Sequence, residues 1–341
     1  MKKYLVLGHL GIGTDRLDGQ IVKTRSIYNL LAEQGFDVSY FDTQDFTTSK
    51  LSIFRMLKLI SSVDIVLYVP AQNNLKWIFP LIFLFAKVVG TDILYFVVGG
   101  WLVEFLQNKP FHRMMLKRIK GIFPETQKMC EGLISRYCIN NVQTFPNFRN
   151  TNYIPVIRES TVEDALKLVF MARVNKNKGY DIIYSFVDYA LSSNLNVIID
   201  FYGPIAFDDV DDFKGKLQKY PNVSYKGALE PEEISETLVN YDLLLLPTRY
   251  YTEGFPGSIM DAYIAGLPVI VTDWMHSREF VVDGETGYIV PFDDPQLDFN
   301  QSIERLYNDR VLLNNLKANS IKFSRKFMAQ SALDILNPYL S

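Results

Sequence analysis

Glu253 and Asp261 lie eight positions apart, at the two ends of a segment whose residues could hold a sugar and a phosphate. Gly254 and Gly257 stand between them, and glycine lets a backbone approach a ligand without interference from a Cβ atom. The segment follows an apolar run at 242–247 and leads into a predicted helix, whose first N–H groups can bind an anion. An ionised carboxylate only accepts hydrogen bonds, so it suits sugar hydroxyls. A nucleotide sugar offers both chemical groups and is the ligand that this pattern predicts.

The same segment resembles the Glu-x7-Glu element of retaining GT-B glycosyltransferases of the family-4 kind, with Asp261 as the second acid. Arg173 and Lys178–Gly179 resemble that family's Gly-Arg-x4-Lys-Gly phosphate grip, with Ala172 in place of its first glycine. The motifs IIDFYGP, KGALEPEEISETL and ETGYIVPFDD also occur in the family's order. The resemblance covers nearly all of the C-terminal half of the chain and, more weakly, the N-terminal half.

The resemblance implies a role for each matched side chain. Arg173 and Lys178 are expected to stabilise the charge on the departing diphosphate, which makes them catalytic candidates together with Glu253. Glu253 is expected to contact the donor sugar and Asp261 the ribose, while Gly227 and Ala228 are expected near a base that is either uracil or guanine. The other residues predicted to bind the donor are Gly203, Gly254, Phe255, Gly257 and Ser258.

Ordinary structural roles stay open for several of these residues. Asp261 could serve the start of its helix, where acids are favoured. Glu253 could be a loop acid and Gly203 a plain turn glycine. A lone Arg173 would be a solvent-exposed cation after a strand, and its spacing from Lys178 is what favours the phosphate-binding interpretation.

A strand, a glycine loop and a helix are predicted at the start of the chain. Gly8, Gly11 and Gly13 have the spacing GxxGxG, which differs from the dinucleotide fingerprint GxGxxG. In the family this loop closes over donor and acceptor. Lys23 could equally be a solvated helix residue. The substrate-binding residues implied by the resemblance are Gly19, Gln20 and Lys23.

Gly99 and Gly100 resemble the glycine pair that faces the family's cleft, where relatives often have a histidine that this chain lacks. His9 follows the first apolar run, and a lone histidine at a strand end is more often structural than catalytic. The three histidines are scattered without ligand spacing, so we predict no metal and no cofactor.

Short apolar runs alternate with amphipathic stretches along the whole chain, which predicts parallel sheets covered by helices on both faces. Two such series predict two doubly wound domains. The predicted fold class is α/β, and the resemblance implies GT-B: two Rossmann-like parallel-sheet domains facing a cleft. The predicted strands are YLVLGH, DVSYFD, DIVLYVP, DILYFVV, KLVFMAR, NVIIDFYG, NVSYKG, DLLLLP and PVIVTD.

We place an acceptor-binding domain at 1–150 and a nucleotide-sugar-binding domain at 151–325. A C-terminal helix at 326–341 is expected to cross back to the first domain, as it does in the family. The Pro- and Asn-rich stretch 145–155 is the predicted linker.

The bulk properties fit a globular protein of this kind. At 341 residues the chain is long for a single core, and a hydrophobic content of 48% excludes a disordered chain. Cys130 and Cys138 form no CxxC pair and favour a reducing cytosol. Glycines and charges follow the first apolar run, which indicates a first strand rather than a secretory signal.

Charge is divided unevenly: residues 1–150 carry 18 basic and 11 acidic side chains, a net of +7, and the rest carries 17 and 27, a net of −10. A cationic half favours an anionic partner, either nucleic acid or a phospholipid surface. Nearby aromatic and aliphatic residues favour the lipid, so we predict no nucleic-acid binding. Residues 77–86 are nearly all apolar but fall short of the about 20 that a spanning helix needs, and predict either a core helix or partial membrane contact.

Residues 111–120 are amphipathic at helical spacing. They predict either a surface helix with a solvated basic face or a helix that docks on anionic lipid. The residues concerned are Arg113, Lys117 and Lys120 on the basic side and Phe111, Met115 and Ile119 on the apolar side.

The resemblance implies a retaining glycosyltransferase, and the scattered histidines predict that it is metal-independent. It is expected to move a hexose-type unit from a UDP- or GDP-linked donor to a saccharide or lipid-linked saccharide in surface-polysaccharide biosynthesis. The expected location is the cytoplasm, with peripheral contact to the inner face of the plasma membrane. The alternatives are a GT-B epimerase or phosphorylase and a non-catalytic nucleotide-sugar-binding partner.

Overall fold

The computed structural model describes residues 2–13, 19–151, 153–156 and 158–341. Two predicted features fall partly outside them: residues 14–18 of the first glycine loop and residue 152 of the linker. Among the described residues the strands are β1 Lys3–Gly8, β2 Asp37–Asp42, β3 Ile65–Val69, β4 Asp92–Phe96, β5 Gly121–Phe123, β6 Leu166–Met171, β7 Val197–Tyr202, β8 Val223–Tyr225, β9 Leu243–Leu246, β10 Val269–Thr272 and β11 Gly287–Val290.

Helices of very different lengths connect these strands. They are α1 Gly19–Glu33, α2 Asp45–Thr48, α3 Ser52–Ile60, α4 Gln72–Trp77, α5 Phe79–Val89, α6 Leu102–Phe105, α7 Pro110–Leu116, α8 Gln127–Tyr137, α9 Tyr180–Ser192, α10 Val210–Lys219, α11 Ile234–Leu238, α12 Gly257–Ile264, α13 Ser277–Phe280, α14 Gln296–Asn308, α15 Arg310–Ser324 and α16 Ala329–Leu340. None of the helices in the described residues is both long enough and apolar enough to cross a membrane.

The chain divides into two compact units: unit 1 is Met1–Thr151 with Lys326–Ser341, and unit 2 is Asn152–Arg325. The described strands of unit 1 form a parallel sheet in the order β2-β1-β3-β4-β5, and those of unit 2 one in the order β11-β10-β9-β6-β7-β8. The direction of winding reverses between β1 and β3 in unit 1 and between β6 and β9 in unit 2. Open α/β sheets bind ligands outside the carboxyl ends of their strands at such reversals.

Apolar cores cover both faces of the unit 1 sheet, because successive residues of a strand point to opposite sides. Along β1, Leu5 and Leu7 enter one core and Tyr4 and Val6 enter the other. Residues of α3, α4, α5 and α7 complete the first core. Residues of α1 and α16 complete the second, with Leu336 of α16 fully buried. The C-terminal helix therefore packs within unit 1.

Two strands, β5 and β11, lie outside the nine predicted runs. Each is only three or four residues long and begins with a glycine, so neither gives a clear periodic signal. The stretch predicted as a linker also begins inside unit 1. Phe145 and Phe148 are buried in its second core, and the Arg149 N–H donates to the Phe327 carbonyl at 2.9 Å.

The apolar segment 77–86 runs from the end of α4 into α5, and only one side of it is buried in the core. Phe79, Ile82 and Ala86 are fully buried in unit 1. The opposite side of α5 is exposed, so the core-helix alternative describes one side of this helix, and partial membrane contact stays a prediction.

Segment 111–120 differs from the membrane-docking prediction. Helix α7 ends at Leu116, and both Met115 and Ile119 of the predicted apolar face are buried in the first core. These two side chains cannot meet lipid because they hold the helix onto the sheet. On the basic side, the Arg113 guanidinium lies 5.3 Å from the Tyr137 ring centroid. Only the first part of the segment is therefore a surface helix, and Lys120, beyond its end, forms an ion pair with Asp92 at 3.3 Å.

Candidate active site

The candidate site begins where unit 2 reverses its strand order, between β6 and β9. The loop after β6 carries Lys178 and the loop after β9 carries Glu253, and their side chains form an ion pair. Because these side chains are 16% and 19% exposed, both remain accessible to a ligand at the sheet edge. The topology of the sheet thus brings together two of the three predicted catalytic residues.

The position of Lys178 depends on its local backbone. This residue ends a single 3-10 turn, and its N–H donates to the Asn175 side chain at 2.8 Å. Gly179 follows with a φ of +82°, and a Cβ atom there would lie 2.0 Å from the Pro247 carbonyl oxygen. Only glycine fits at this close approach of the two loops, so the turn that presents the lysine requires it.

Two side chains that the sequence analysis did not identify complete the surroundings of the ion pair. Thr248 donates a hydrogen bond to the Glu253 carboxylate at 3.3 Å, and the Tyr250 ring centroid lies 5.3 Å from the Lys178 ammonium. Both residues belong to the loop directly after β9. Their position after β9 could have identified both residues from the sequence, since parallel sheets bind ligands at the carboxyl ends of their strands.

Arg173, the third predicted catalytic residue, is exposed in the loop after β6 and makes no ion pair with another described residue. The neighbouring loop after β7 lies close by, since a Cβ atom on Gly203 would be 2.1 Å from the Ala172 carbonyl oxygen. The Gly203 N–H donates to the Gly227 carbonyl at 2.8 Å, which joins the loops after β7 and β8. Ala228 follows and is exposed. The predicted phosphate-binding and base-binding loops are therefore neighbours.

The glycine turn before α12 carries further predicted donor-side residues. Gly257 and Ser258 begin α12 and are partly exposed, and N–H groups in the first turn of a helix have no intrahelical acceptor. Gly254 is partly exposed as well. Phe255 differs from its predicted place beside the sugar: it is 4% exposed, and its ring stacks on Phe280 with centroids 4.0 Å apart. Its side chain packs into the interior because the apolar ring finds an aromatic partner there.

Asp261, the second acid of the predicted pair, lies in the second turn of α12 and is 5% exposed. A carboxylate buried to this extent is stable only with hydrogen-bond donors around it. Contact between Asp261 and a ribose stays a prediction.

Lys23 lies on α1 with its ammonium inside unit 1, which corrects its predicted role as a substrate ligand. The ammonium donates to the Val97 carbonyl at 2.8 Å and to the Glu125 carboxylate at 3.0 Å. The Lys23 and Glu125 side chains are 1% and 4% exposed. Burial lowers the pKa of the Lys23 ammonium from its usual value, and the Glu125 carboxylate offsets part of that shift. The pair joins α1 to the segments that follow β4 and β5.

The remaining predicted residues of unit 1 lie at the carboxyl edge of its sheet. Gly19 begins α1 and is exposed, and the Gln20 amide donates to the last carbonyl of β3 at 3.0 Å. Gly99, with a φ of +79°, and Gly100 form the bend after β4. His9 follows β1, and its Nε2 is buried without a hydrogen-bond partner among the described residues.

Within the residues that the structure describes, no group of three or more His, Cys, Asp or Glu side chains could hold a metal ion. His112 lies 3.2 Å from the Leu75 carbonyl and His276 lies 3.3 Å from Glu279, so both rings contact protein groups. Metal-independent chemistry stays a prediction for this site.

The unit 2 sequence matches a known family. Residues 154–323 match the family model described as glycosyl transferases group 1. The match covers nearly all of unit 2. The match contains both loops that carry the predicted catalytic residues, the loop after β6 with Arg173 and Lys178 and the loop after β9 with Glu253.

Two curated proteins are similar to part of the chain. One is an uncharacterized 41.2 kDa protein in the cps region of Klebsiella pneumoniae, 28% identical over 183 residues, or 52% of this chain and 48% of that protein. The other is the capsular polysaccharide biosynthesis glycosyltransferase CapM of Staphylococcus aureus, 28% identical over 174 residues, or 50% and 44%. The similarity therefore spans about half the length of these relatives.

A solved structure is similar over the whole chain. The crystal structure of Anabaena HepE in complex with UDP and glucose has a TM-score of 0.74 at 15% identity, and the similarity covers 100% of this chain and 99% of that one. At such low identity the likeness shows the fold alone. Together with the two parallel sheets, it confirms the predicted GT-B fold class.

Proposed function

We propose that this protein is a retaining glycosyltransferase that moves a hexose-type unit from a nucleotide sugar to a saccharide acceptor in surface-polysaccharide biosynthesis. One observation carries the proposal: Lys178 and Glu253 meet where unit 2 reverses its strand order, beside the loop of Arg173. The glycosyl transferases group 1 match over the same loops supports this reading of the site. The capsule-related names of the two similar proteins support a polysaccharide product.

In the proposed reaction the acceptor oxygen attacks C1 of the donor sugar on the face that the diphosphate leaves. The bond from C1 to the phosphate oxygen breaks, the acceptor proton passes to the leaving phosphate, and a nucleoside diphosphate departs. Negative charge grows on that diphosphate, and Arg173 and Lys178 stabilise it together with the first N–H groups of α12. The Glu253 carboxylate accepts hydrogen bonds from the sugar hydroxyls and fixes the orientation of C1.

The reaction needs no protein nucleophile, because the acceptor oxygen itself attacks C1, and the departing phosphate serves as the base that takes the acceptor proton. Two-carboxylate glycosidases, by contrast, form a covalent intermediate when they retain configuration. Arg173 and Lys178 supply the positive charge that a divalent cation supplies elsewhere, so the reaction is metal-independent.

We infer a UDP-linked donor, with a GDP-linked sugar as the alternative. The inference is supported by the presence of UDP in the HepE structure, which shares this fold. We assign the acceptor, a saccharide or lipid-linked saccharide, to unit 1, and we place the enzyme in the cytoplasm at the inner face of the plasma membrane. The net positive charge of residues 1–150 supports an acceptor that carries phosphate.

A panel of UDP- and GDP-linked sugars, screened by thermal shift on the full chain, tests the donor. A ligand at 100 times its dissociation constant adds about 2.7 kcal/mol to the free energy of unfolding, so one donor should stand out. That donor should then release nucleoside diphosphate only when a saccharide acceptor is present, and NMR of the product should show the anomeric configuration of the donor. Formation of a nucleotide-sugar epimer without acceptor would contradict transfer, as would trapping of a covalent glycosyl-enzyme.

A further inference from the structure

One side of α4 and α5 exposes a continuous row of large apolar side chains. Trp77, Leu81, Leu84 and Val88 are 72%, 38%, 55% and 83% exposed. They follow one another at spacings of four, three and four residues: Leu81, Leu84 and Val88 share one face of α5, and Trp77 is the last residue of α4. The opposite face of α5 is fixed in the core of unit 1, so the helix cannot rotate to bury them. We call these four residues the apolar stripe.

A neighbouring helix also exposes an aromatic side chain. Helix α3 packs against α5, and its Phe54 is 66% exposed. Single exposed apolar residues are ordinary on a protein surface. Several large ones on neighbouring helices mark an interaction site, because a protein that acts alone rarely keeps so much apolar area in water.

The charges on the same three helices indicate what this surface contacts. The sequences of α3, α4 and α5 contain no Asp or Glu. Arg55 on α3 is paired with Asp45 of α2. The other basic residues of these helices are Lys58, Lys76 and Lys87. An apolar surface that carries only positive charge of its own matches an anionic and partly apolar partner.

We propose that the outer surface of α3, α4 and α5 docks on a membrane that contains anionic phospholipid. The apolar stripe enters the boundary between headgroups and acyl chains, with Trp77 at headgroup depth. Lys58, Lys76 and Lys87 face the lipid phosphates. At about 1.5 Å per residue the stripe is about 16 Å long, enough to lie along the membrane surface and too short to cross the bilayer.

A second copy of this chain fits the surface less well. A symmetric dimer through the apolar stripe places the same patch on both partners, so the lysines of one copy face the lysines of the other. With no acid on these three helices to compensate, like charges oppose that contact. The charge of an anionic bilayer is opposite to that of the lysines, so like charges do not oppose that contact.

Cosedimentation of the full chain with vesicles of phosphatidylglycerol and phosphatidylcholine tests the proposal. Leu84→Gln combined with Val88→Gln should lower the partition coefficient by about tenfold or more, since two buried apolar side chains are lost. Lys58→Glu combined with Lys87→Glu should lower it by a similar factor, and pure phosphatidylcholine should bind the unmodified protein more weakly. Undiminished binding of the stripe variant would overturn the proposal.

Matched controls lie on unit 2. Leu191 and Val311 are 53% and 73% exposed, so Leu191→Gln with Val311→Gln removes as much exposed apolar surface outside the stripe. Lys214→Glu changes a charge on exposed α10. Both controls should bind vesicles as the unmodified protein does, and equal melting temperatures show that each variant is folded. If sedimentation instead shows a dimer that the stripe variant dissociates, without any vesicle binding, the surface serves a second copy and the proposal fails.

Tryptophan fluorescence reports where the surface enters the membrane. Trp77 is exposed, whereas Trp274 is 1% exposed and Trp101 is partly buried. Vesicles that contain brominated lipid should quench the unmodified protein and leave Trp77→Phe largely unquenched although it still cosediments. Equal quenching of both proteins would overturn the placement of the stripe. Turnover of a water-soluble acceptor should not change in the stripe variant, so failure of docking and failure of the proposed transfer are distinguishable.

Discussion

Lys178 and Glu253, 75 residues apart in the chain, are joined by an ion pair that bridges the loops after β6 and β9. The proposed reaction needs these two groups for different parts of the donor: the ammonium for the diphosphate and the carboxylate for the sugar. In the ion pair, each neutralises the charge of the other. Donor binding therefore replaces the contact between these two side chains with one contact from each of them to the donor. Substitutions of the two side chains should change nucleotide affinity in opposite directions.

Glu253→Gln should bind free UDP more tightly than the unmodified protein, by up to about fivefold. The reason is that UDP no longer competes with a carboxylate for Lys178, and partly exposed ion pairs contribute up to about 1 kcal/mol. Lys178→Met should bind UDP roughly 10–100-fold more weakly, because a charge-assisted hydrogen bond to phosphate is lost. Isothermal titration calorimetry measures both, and turnover should fall in both variants.

Glu163→Gln is the matched control for the first variant, since Glu163 is an exposed acid of unit 2. It should leave UDP affinity unchanged. Weaker UDP binding by Glu253→Gln would contradict the exchange of contacts and would assign the carboxylate a direct role in holding the nucleotide.

Arg173→Ala should lower kcat by about 10²–10³, by analogy with the loss of one preorganised donor at a developing charge. Arg173 is exposed and makes no ion pair with another described residue, so the melting temperature should not change. Arg158→Ala, which removes another exposed arginine of unit 2, is the control and should retain full turnover. A near-normal rate in Arg173→Ala would remove this residue from the mechanism.

The parts of the fold that the sequence predicts are those with a strong local signal. Long apolar runs such as 242–247 mark buried strands because a parallel sheet has no polar face. The short strands β5 and β11 lack such a run, and pairing with a longer neighbour is what forms them. Segment 111–120 shows a related limit: its pattern gives the amphipathic period but does not distinguish a core from a membrane as the partner of the apolar face.

Motifs that fix residue types and spacing predicted a shared site for Lys178 and Glu253, which form an ion pair, while the roles of these residues and of Arg173 toward a donor stay predictions. The placement of a side chain was not predictable from the sequence where that side chain could turn either outward or into the interior. Lys23 has the sequence context of a solvated helix residue, yet Glu125, 102 positions later, draws its ammonium into the interior. Phe255 stands beside the predicted sugar contact, and its buried ring stacks on the distant Phe280. Such long-range partners leave no local signal.

Gly179→Ala and Gly203→Ala should each destabilise unit 2 by about 1–3 kcal/mol or more, because both glycines have positive φ and a Cβ atom would overlap a carbonyl oxygen. Gly215→Ala is the control: nothing lies within 4 Å of its Cβ position on α10, so it should stabilise that helix by about 0.5–1 kcal/mol. Thermal unfolding measures all three. A Gly179→Ala protein as stable as the unmodified one would contradict the close approach of the loops after β6 and β9.

Lys23→Met should destabilise unit 1 by about 3–5 kcal/mol, because it leaves the Glu125 carboxylate buried without its cation. Lys23→Met combined with Glu125→Leu should recover most of that loss, since well-packed apolar residues can replace a buried ion pair at little net cost. Hydrogen exchange of the β4 and β5 amides gives a local measurement that does not require two-state unfolding of both units. The single and double variants, with Glu125→Leu alone, form a cycle whose coupling free energy belongs to the pair. Additive effects would mean that the ammonium and the carboxylate do not depend on each other, and the ion pair would then have no part in joining α1 to the segments after β4 and β5.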